Sequence, residues 1–151
     1  AERIIEADPT LELIDVRSTD EYEEFRLQGA LNLPLDSILV EPYQDYLGIE
    51  DMKAVFYSND DIKADQAWVI ARRLGYSNIY VMKGGLNCWI NTIITPPKPK
   101  ETDSKAAIEL YSFRKGASMY FTGATLSESD DIKSDVVVTR KKKKAVAEGG
   151  C

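Results

Sequence analysis

The chain has no histidine and only two cysteines, Cys88 and Cys151, among its 151 residues. The first absence removes the usual partner of a catalytic serine, because a hydroxyl becomes a nucleophile only beside a strong general base. The second leaves too few thiols to mark a metal site or a disulfide framework, or to identify a redox compartment. No apolar run approaches the roughly 18 residues of a membrane span, and no secretory signal is visible. No internal repeat stands out. Basic residues are scarce where a nucleic-acid face would be needed. Up to Pro99 there are nine Lys and Arg against seventeen Asp and Glu; beyond it there are ten against eight. An acidic body with a local basic block excludes nucleic acid as the expected partner. No cofactor and no metal are expected.

What is present is an alternation of short apolar runs and helical patterns. Leu11 to Val16 reads as a buried parallel strand. Ser18 or Thr19 can cap a short helix, with Glu21, Glu23 and Glu24 in or near its first turn. Leu31 to Leu33 is a second strand, stopped by Pro34, and Asp36 or Ser37 can cap a further turn reaching Leu39. Val55 to Tyr57 is the central strand. Ala67, Ile70, Ala71 and Leu74 recur at helical spacing within Asp65 to Leu74, and Gly75 stands where a helix stops. Ile79 to Met82 is another strand, Gly84-Gly85 a tight turn, and Leu86 to Ile94 a final helix ended by Pro96, Pro97 and Pro99. Strands separated by helices predict a mainly parallel α/β sheet covered on both faces. Ligands of such sheets sit beyond the carboxyl ends of the strands, where Arg17 and Ser58 lie.

The order of these pieces is specific. Leu13-Ile14-Asp15-Val16-Arg17 precedes Glu21-Tyr22, then Gly29-Ala30-Leu31-Asn32-Leu33-Pro34. Downstream, Val55-Phe56-Tyr57 runs into Ser58-Asn59-Asp60-Asp61-Ile62-Lys63, and Lys83-Gly84-Gly85-Leu86-Asn87-Cys88-Trp89 follows the last strand. Over Leu11 to Trp89 this resembles the rhodanese-like domain family. The resemblance implies a sulfurtransferase-type loop at the end of the central strand, with Asp15 and Arg17 supporting it. In active members the loop opens on a nucleophilic Cys and closes on an Arg; here Ser58 and Lys63 hold those positions. The turn before Gly29 also departs, reading Phe25-Arg26-Leu27 where the family carries a His. Ser58 cannot hold a persulfide, and Asp60 and Asp61 are expected to put negative charge where an anion would bind. Asn59, Asp60, Asp61, Ile62 and Lys63 form the candidate anion-binding loop. Phosphoryl or arsenate chemistry is disfavoured, because related loops there also rely on Cys. The expected function is a catalytically altered module for binding or regulation in sulfur trafficking, with an unknown protein or a small sulfur-containing anion as partner.

Three regions follow: a domain over 1–95, a linker and packing helix over 96–121, and a disordered Lys-rich tail over 122–151. The helix is expected between Ala106 and Phe121, ending near Gly116. In the tail, Val136 to Val138 is a short β-prone run. Lys141, Lys142, Lys143 and Lys144 form a block suited to solvent or to an anionic membrane surface. Cys151, after Gly149-Gly150, is the alternative thiol, for a sulfur carrier or sulfurtransferase working from the tail. Cys88 is expected to be structural and partly buried. Tyr57-Ser58-Asn59, Asp65-Gln66-Ala67-Trp68 and the Lys-rich Gly-Gly-Cys end resemble a bacterial subgroup of the family, whose members often carry an N-terminal membrane-spanning helix. The chain opens on Ala1 and on what reads as the end of a helix. A preceding first strand and a membrane tether are therefore expected to be missing from the sequence; without a tether the expected location is cytoplasmic.

Overall fold

The computed structural model describes residues 1–40, 47 and 51–123. The expected tail features, Val136 to Val138, Lys141 to Lys144 and Cys151, lie outside the described residues. A short helix α1 (Glu2–Ile5) leads into β1 (Leu11–Asp15), α2 (Thr19–Glu24), β2 (Leu31–Asn32) and a 3-10 turn at Leu35–Ser37. Then come β3 (Lys53–Tyr57), α3 (Ile62–Arg73), β4 (Ile79–Val81) and α4 (Gly85–Trp89). A π-helical turn at Ile90–Ile94 follows, and α5 (Lys105–Thr122) closes the described chain.

The four strands form one sheet in the order β2-β1-β3-β4, and all three pairings are parallel. This is the mainly parallel α/β sheet that the strand–helix alternation predicts. β4 is an edge: no strand among the described residues lies outside it. Alternation along the strands divides the core into two layers. Ile14, Ala54 and Phe56 face one way and pack with Ala64, Ala67 and Ala71 of α3. Leu13 and Tyr57 face the other way and pack with Leu27, Leu86 and Trp89. The three alanines are fully buried, so α3 sits close against the sheet and fixes the loop before it.

Local signals explain most boundaries. Ser18 caps α2, and Glu21 returns the hydrogen bond in a reciprocal capping box. Gly75, at φ +100°, ends α3 as expected. The helix starts earlier than its apolar spacing suggests, at Ile62, because the Asp60 carboxylate accepts from the Ile62 amide at 3.0 Å and the Asp61 carbonyl from the Asp65 amide at 2.8 Å. Gly116, read as a stop, lies inside α5. That helix continues because its second half has something to pack on. Ala117 and Ser118 are buried, the Ser118 hydroxyl donates to the Ile94 carbonyl at 2.6 Å, and Phe121 meets Trp89 edge-on at 5.1 Å. The stop is Gly123 instead, at φ +69°. The segment read as one helix over Leu86 to Ile94 changes winding after Trp89, where the Thr95 amide reaches back to the Ile90 carbonyl at 2.8 Å. No helix of the described residues is long and apolar enough to cross a membrane.

Candidate functional site

The carboxyl ends of β1 and β3 bring Arg17 and Ser58 to one cleft of about 200 Å³, lined also by Asn59, Asp60, Ile62 and Lys63. A larger groove, about 400 Å³, runs between α3 and the 3-10 turn, lined by Leu35, Asp65, Gln66, Val69 and Ile70. It is almost wholly apolar and open, so the chemistry belongs to the smaller cleft.

Arg17 is the anchor of the site. It is 5% exposed, and Asp15 beside it is fully buried. Their pairing is two-pronged: Nε to Oδ1 at 2.9 Å and Nη2 to Oδ2 at 2.6 Å. The Arg17 amide also donates to Asp15 Oδ1 at 3.0 Å. Burial alone would lower the Arg17 pKa; hydrogen bonding and attraction to Asp15 more than offset it, so the net direction is up. The other arm, Nη1, donates to the Asn59 side-chain oxygen at 3.1 Å. Arg17 is thus spent on its own scaffold, orienting the loop through Asn59 rather than presenting an open charge.

Ser58 is 2% exposed. Its hydroxyl donates to the Asp60 carbonyl at 2.5 Å, a contact that closes the loop on itself. The two loop carboxylates are engaged more specifically than the sequence suggests. Asp60 takes the Ile62 amide, and Asp61 Oδ1 accepts from the Gly84 amide across the turn at 2.5 Å. The Gly84-Gly85 turn forms the floor. The amides of Leu86 and Asn87 donate to the carbonyls of Ser58 and Asn59 at 2.9 and 3.0 Å.

Sequence reasoning did not place Glu21 in the site. The structure does. Its Oε1 accepts from the Asn59 amide group at 2.7 Å, and its Oε2 lies 3.8 Å from the Lys63 ammonium. The Ser18 hydroxyl first, then Asn59 and Lys63, hold this carboxyl below its ordinary range. The signal was available: Ser18-Thr19-Asp20-Glu21 is a capping-box spacing, which aims Glu21 back toward the strand end. Cys88 is corrected. It is exposed, because Gly85, Leu86 and Trp89 take the buried face of α4 and Cys88 falls to the side. Cys151 lies outside the described residues. No group of acidic or thiol side chains suited to a metal occurs among the described residues.

Tyr57, fully buried beneath the site, accepts from the Leu27 amide at 3.3 Å. Burial, and then the Asp15 charge, push its phenol far above the ordinary value of 10.0. The unfolded chain ionises near that value and the fold does not, so stability is unaffected below about pH 10 and falls as pH rises further. In an alkaline titration followed in the near ultraviolet, the Tyr57 step among the eight tyrosines should coincide with loss of secondary structure. A Tyr57→Phe chain should lose that step. Ionisation of every tyrosine with the fold intact would contradict the assignment.

A parallel sheet whose central strand opens into a short hydrogen-bonded loop, with a buried Arg beneath, defines an α/β domain with its site at the strand ends. The rhodanese-like domain family matches residues 1–92, and the chain belongs to that family. It is 37% identical over 81 residues to a probable molybdopterin-synthase adenylyltransferase of Porphyra purpurea, covering 54% of this chain and 21% of that protein. It thus spans about a fifth of that relative's length. It is 27% identical over 94 residues to the thiosulfate:glutathione sulfurtransferase of Saccharomyces cerevisiae, covering 56% of this chain and 68% of that one. Among solved structures, the human single-domain sulfurtransferase aligns with a TM-score of 0.50 and 29% identity, over 60% of this chain and 90% of that one.

Proposed function

We propose that the chain is a rhodanese-like module whose loop binds or regulates rather than transfers sulfur, acting within sulfur trafficking. The observation that carries this is Ser58. Its hydroxyl stands at the loop's opening position, is buried, and is already committed to the Asp60 carbonyl. No histidine exists to take its proton, and a hydroxyl cannot carry a persulfide. Arg17 is likewise committed to Asp15, Asn59 and the Phe25 carbonyl. What remains is a small cleft bordered by polar and charged side chains, with no activated nucleophile among the residues that line it. Relatives that include a thiosulfate:glutathione sulfurtransferase support a sulfur-linked setting for the fold.

The test is thiosulfate:cyanide turnover by the whole chain, Ser58→Ala, Ser58→Cys and Cys151→Ser. The expected rate is near background for the whole chain and unchanged by Ser58→Ala, with at most a small gain in Ser58→Cys. Robust turnover lost on Ser58→Ala would overturn this reading. Turnover lost on Cys151→Ser instead would move the function to the tail thiol.

A further inference from the structure

We infer that the loop is an anion cradle kept shut by two carboxylates of the chain, Asp60 within the loop and Glu21 from α2, with Glu21 as the displaceable one. This rests on the binding role proposed above and names its regulation. Two side-chain donors border the cleft from the loop: the Asn59 amide and the Lys63 ammonium. Glu21 reaches over from α2 and engages both, at 2.7 and 3.8 Å. From within the loop, Asp60 occupies the Ile62 amide at 3.0 Å. A backbone amide at the start of a helix and a lysine beside it are groups that an incoming oxyanion would use. Here each already faces a carboxylate of the chain itself.

The charges point the same way. Around the cleft Asp15, Glu21, Asp60 and Asp61 outnumber Arg17 and Lys63, and Asp15 neutralises Arg17. A small dianion therefore meets a net negative cleft. It enters by displacing Glu21 from Asn59 and Lys63. Glu21 is the one that bridges from another element: its contact with Lys63 is long, at 3.8 Å, and both side chains are part-exposed, while the Ser18 hydroxyl and amide hold its Oε2 at 2.9 and 3.2 Å, so displacing it opens the α2 capping box as well. Asp61, by contrast, is fastened to the Gly84 amide and belongs to the floor. Entry of an anion would thus be coupled to the start of α2, which a partner could hold open.

The probe is thiosulfate, titrated at constant ionic strength into the nitrogen-labelled whole chain. The readouts are the Asn59 side-chain amide and the Ile62 backbone amide. Glu21→Gln keeps a hydrogen-bonding group of the same shape and removes the charge. It should tighten thiosulfate binding by about tenfold, the scale of one nearby charge in a half-solvated site. Asp60→Asn preserves an acceptor for the Ile62 amide and should add to the gain. Lys63→Met in the Glu21→Gln background should remove it. Glu24→Gln, on the same helix and exposed, controls for diffuse surface charge and should leave the affinity unchanged. An amide spectrum with unchanged dispersion shows that each variant is folded. Equal affinity in the whole chain and Glu21→Gln, an equal gain from Glu24→Gln, or no thiosulfate binding in any variant would overturn the inference. Turnover through Ser58 would sink the binding role instead, and the two outcomes are read by different measurements.

Discussion

Asp15→Ala should cost about 3–5 kcal/mol of folding stability, the usual result of stripping one partner from a buried ion pair. The carboxylate is fully buried and meets the guanidinium of Arg17, which is 5% exposed, through two of its nitrogens. Without it the guanidinium keeps its charge and loses its counter-ion, while Asn59 and the Phe25 carbonyl remain as neutral partners. A domain of this size has roughly 5–15 kcal/mol in hand, so a large share of the margin goes. Urea unfolding should show a much lower midpoint with an unchanged slope. The double change Asp15→Ala with Arg17→Met should be less harmful than Asp15→Ala alone, because it removes the stranded charge as well. A loss below about 1 kcal/mol for Asp15→Ala would mean that water reaches Arg17 and that the pair is not a dry anchor.

The pair also shows what the sequence reveals and what it hides. The strand ending in Asp15-Val16-Arg17 was legible from its apolar run, whereas a role for Asp15 and Arg17 beside the loop was implied only by the family resemblance. The sheet was legible from such runs. Leu13-Ile14 and Val55-Phe56-Tyr57 are covered on both faces, and a strand buried twice must be apolar throughout. Gly75 was legible because its helix has a clean apolar spacing that stops there. Gly116 misled because a glycine inside a helix costs only about 1 kcal/mol, which packing of Ala117, Ser118 and Phe121 offsets from outside the segment. Asp60 and Asp61 were visible as charges, but not as acceptors. Which amide each carboxylate takes is decided by the turn of the loop and by Gly84, more than twenty residues away. Glu21 was seen as a helix-start residue, and its reach to Asn59 and Lys63 depends on α2 lying over the end of β3. Cys88 was misplaced because neighbours at Leu86 and Trp89 are buried, while side-chain direction on a helix changes with every residue.

Gly85→Ala should destabilise the fold by about 3 kcal/mol and move the loop as it does so. Two costs combine. Gly85 sits at φ +54°, where a residue with a Cβ loses about 1–2 kcal/mol. A Cβ there would also stand 2.5 Å from the Ser58 carbonyl oxygen and 2.8 Å from the Asn59 carbonyl carbon and oxygen. These are backbone atoms and cannot swing aside, and overpacking of this kind costs a further 1–3 kcal/mol or so. The same two carbonyls receive the Leu86 and Asn87 amides, so pushing them away breaks the joint between α4 and the loop. Gly29→Ala separates the two terms. Its φ is also positive, at +80°, but nothing lies within 4 Å of the added atom, so only the backbone term of about 1–2 kcal/mol remains. Urea unfolding of both variants gives the difference, and the Ser58 to Ile62 amide resonances report the displacement. Gly85→Ala should shift them and Gly29→Ala should not. Equal losses for the two, with unmoved loop resonances, would mean that the floor yields. The loop would then take its shape from its own hydrogen bonds and from Arg17 and Glu21, not from the floor.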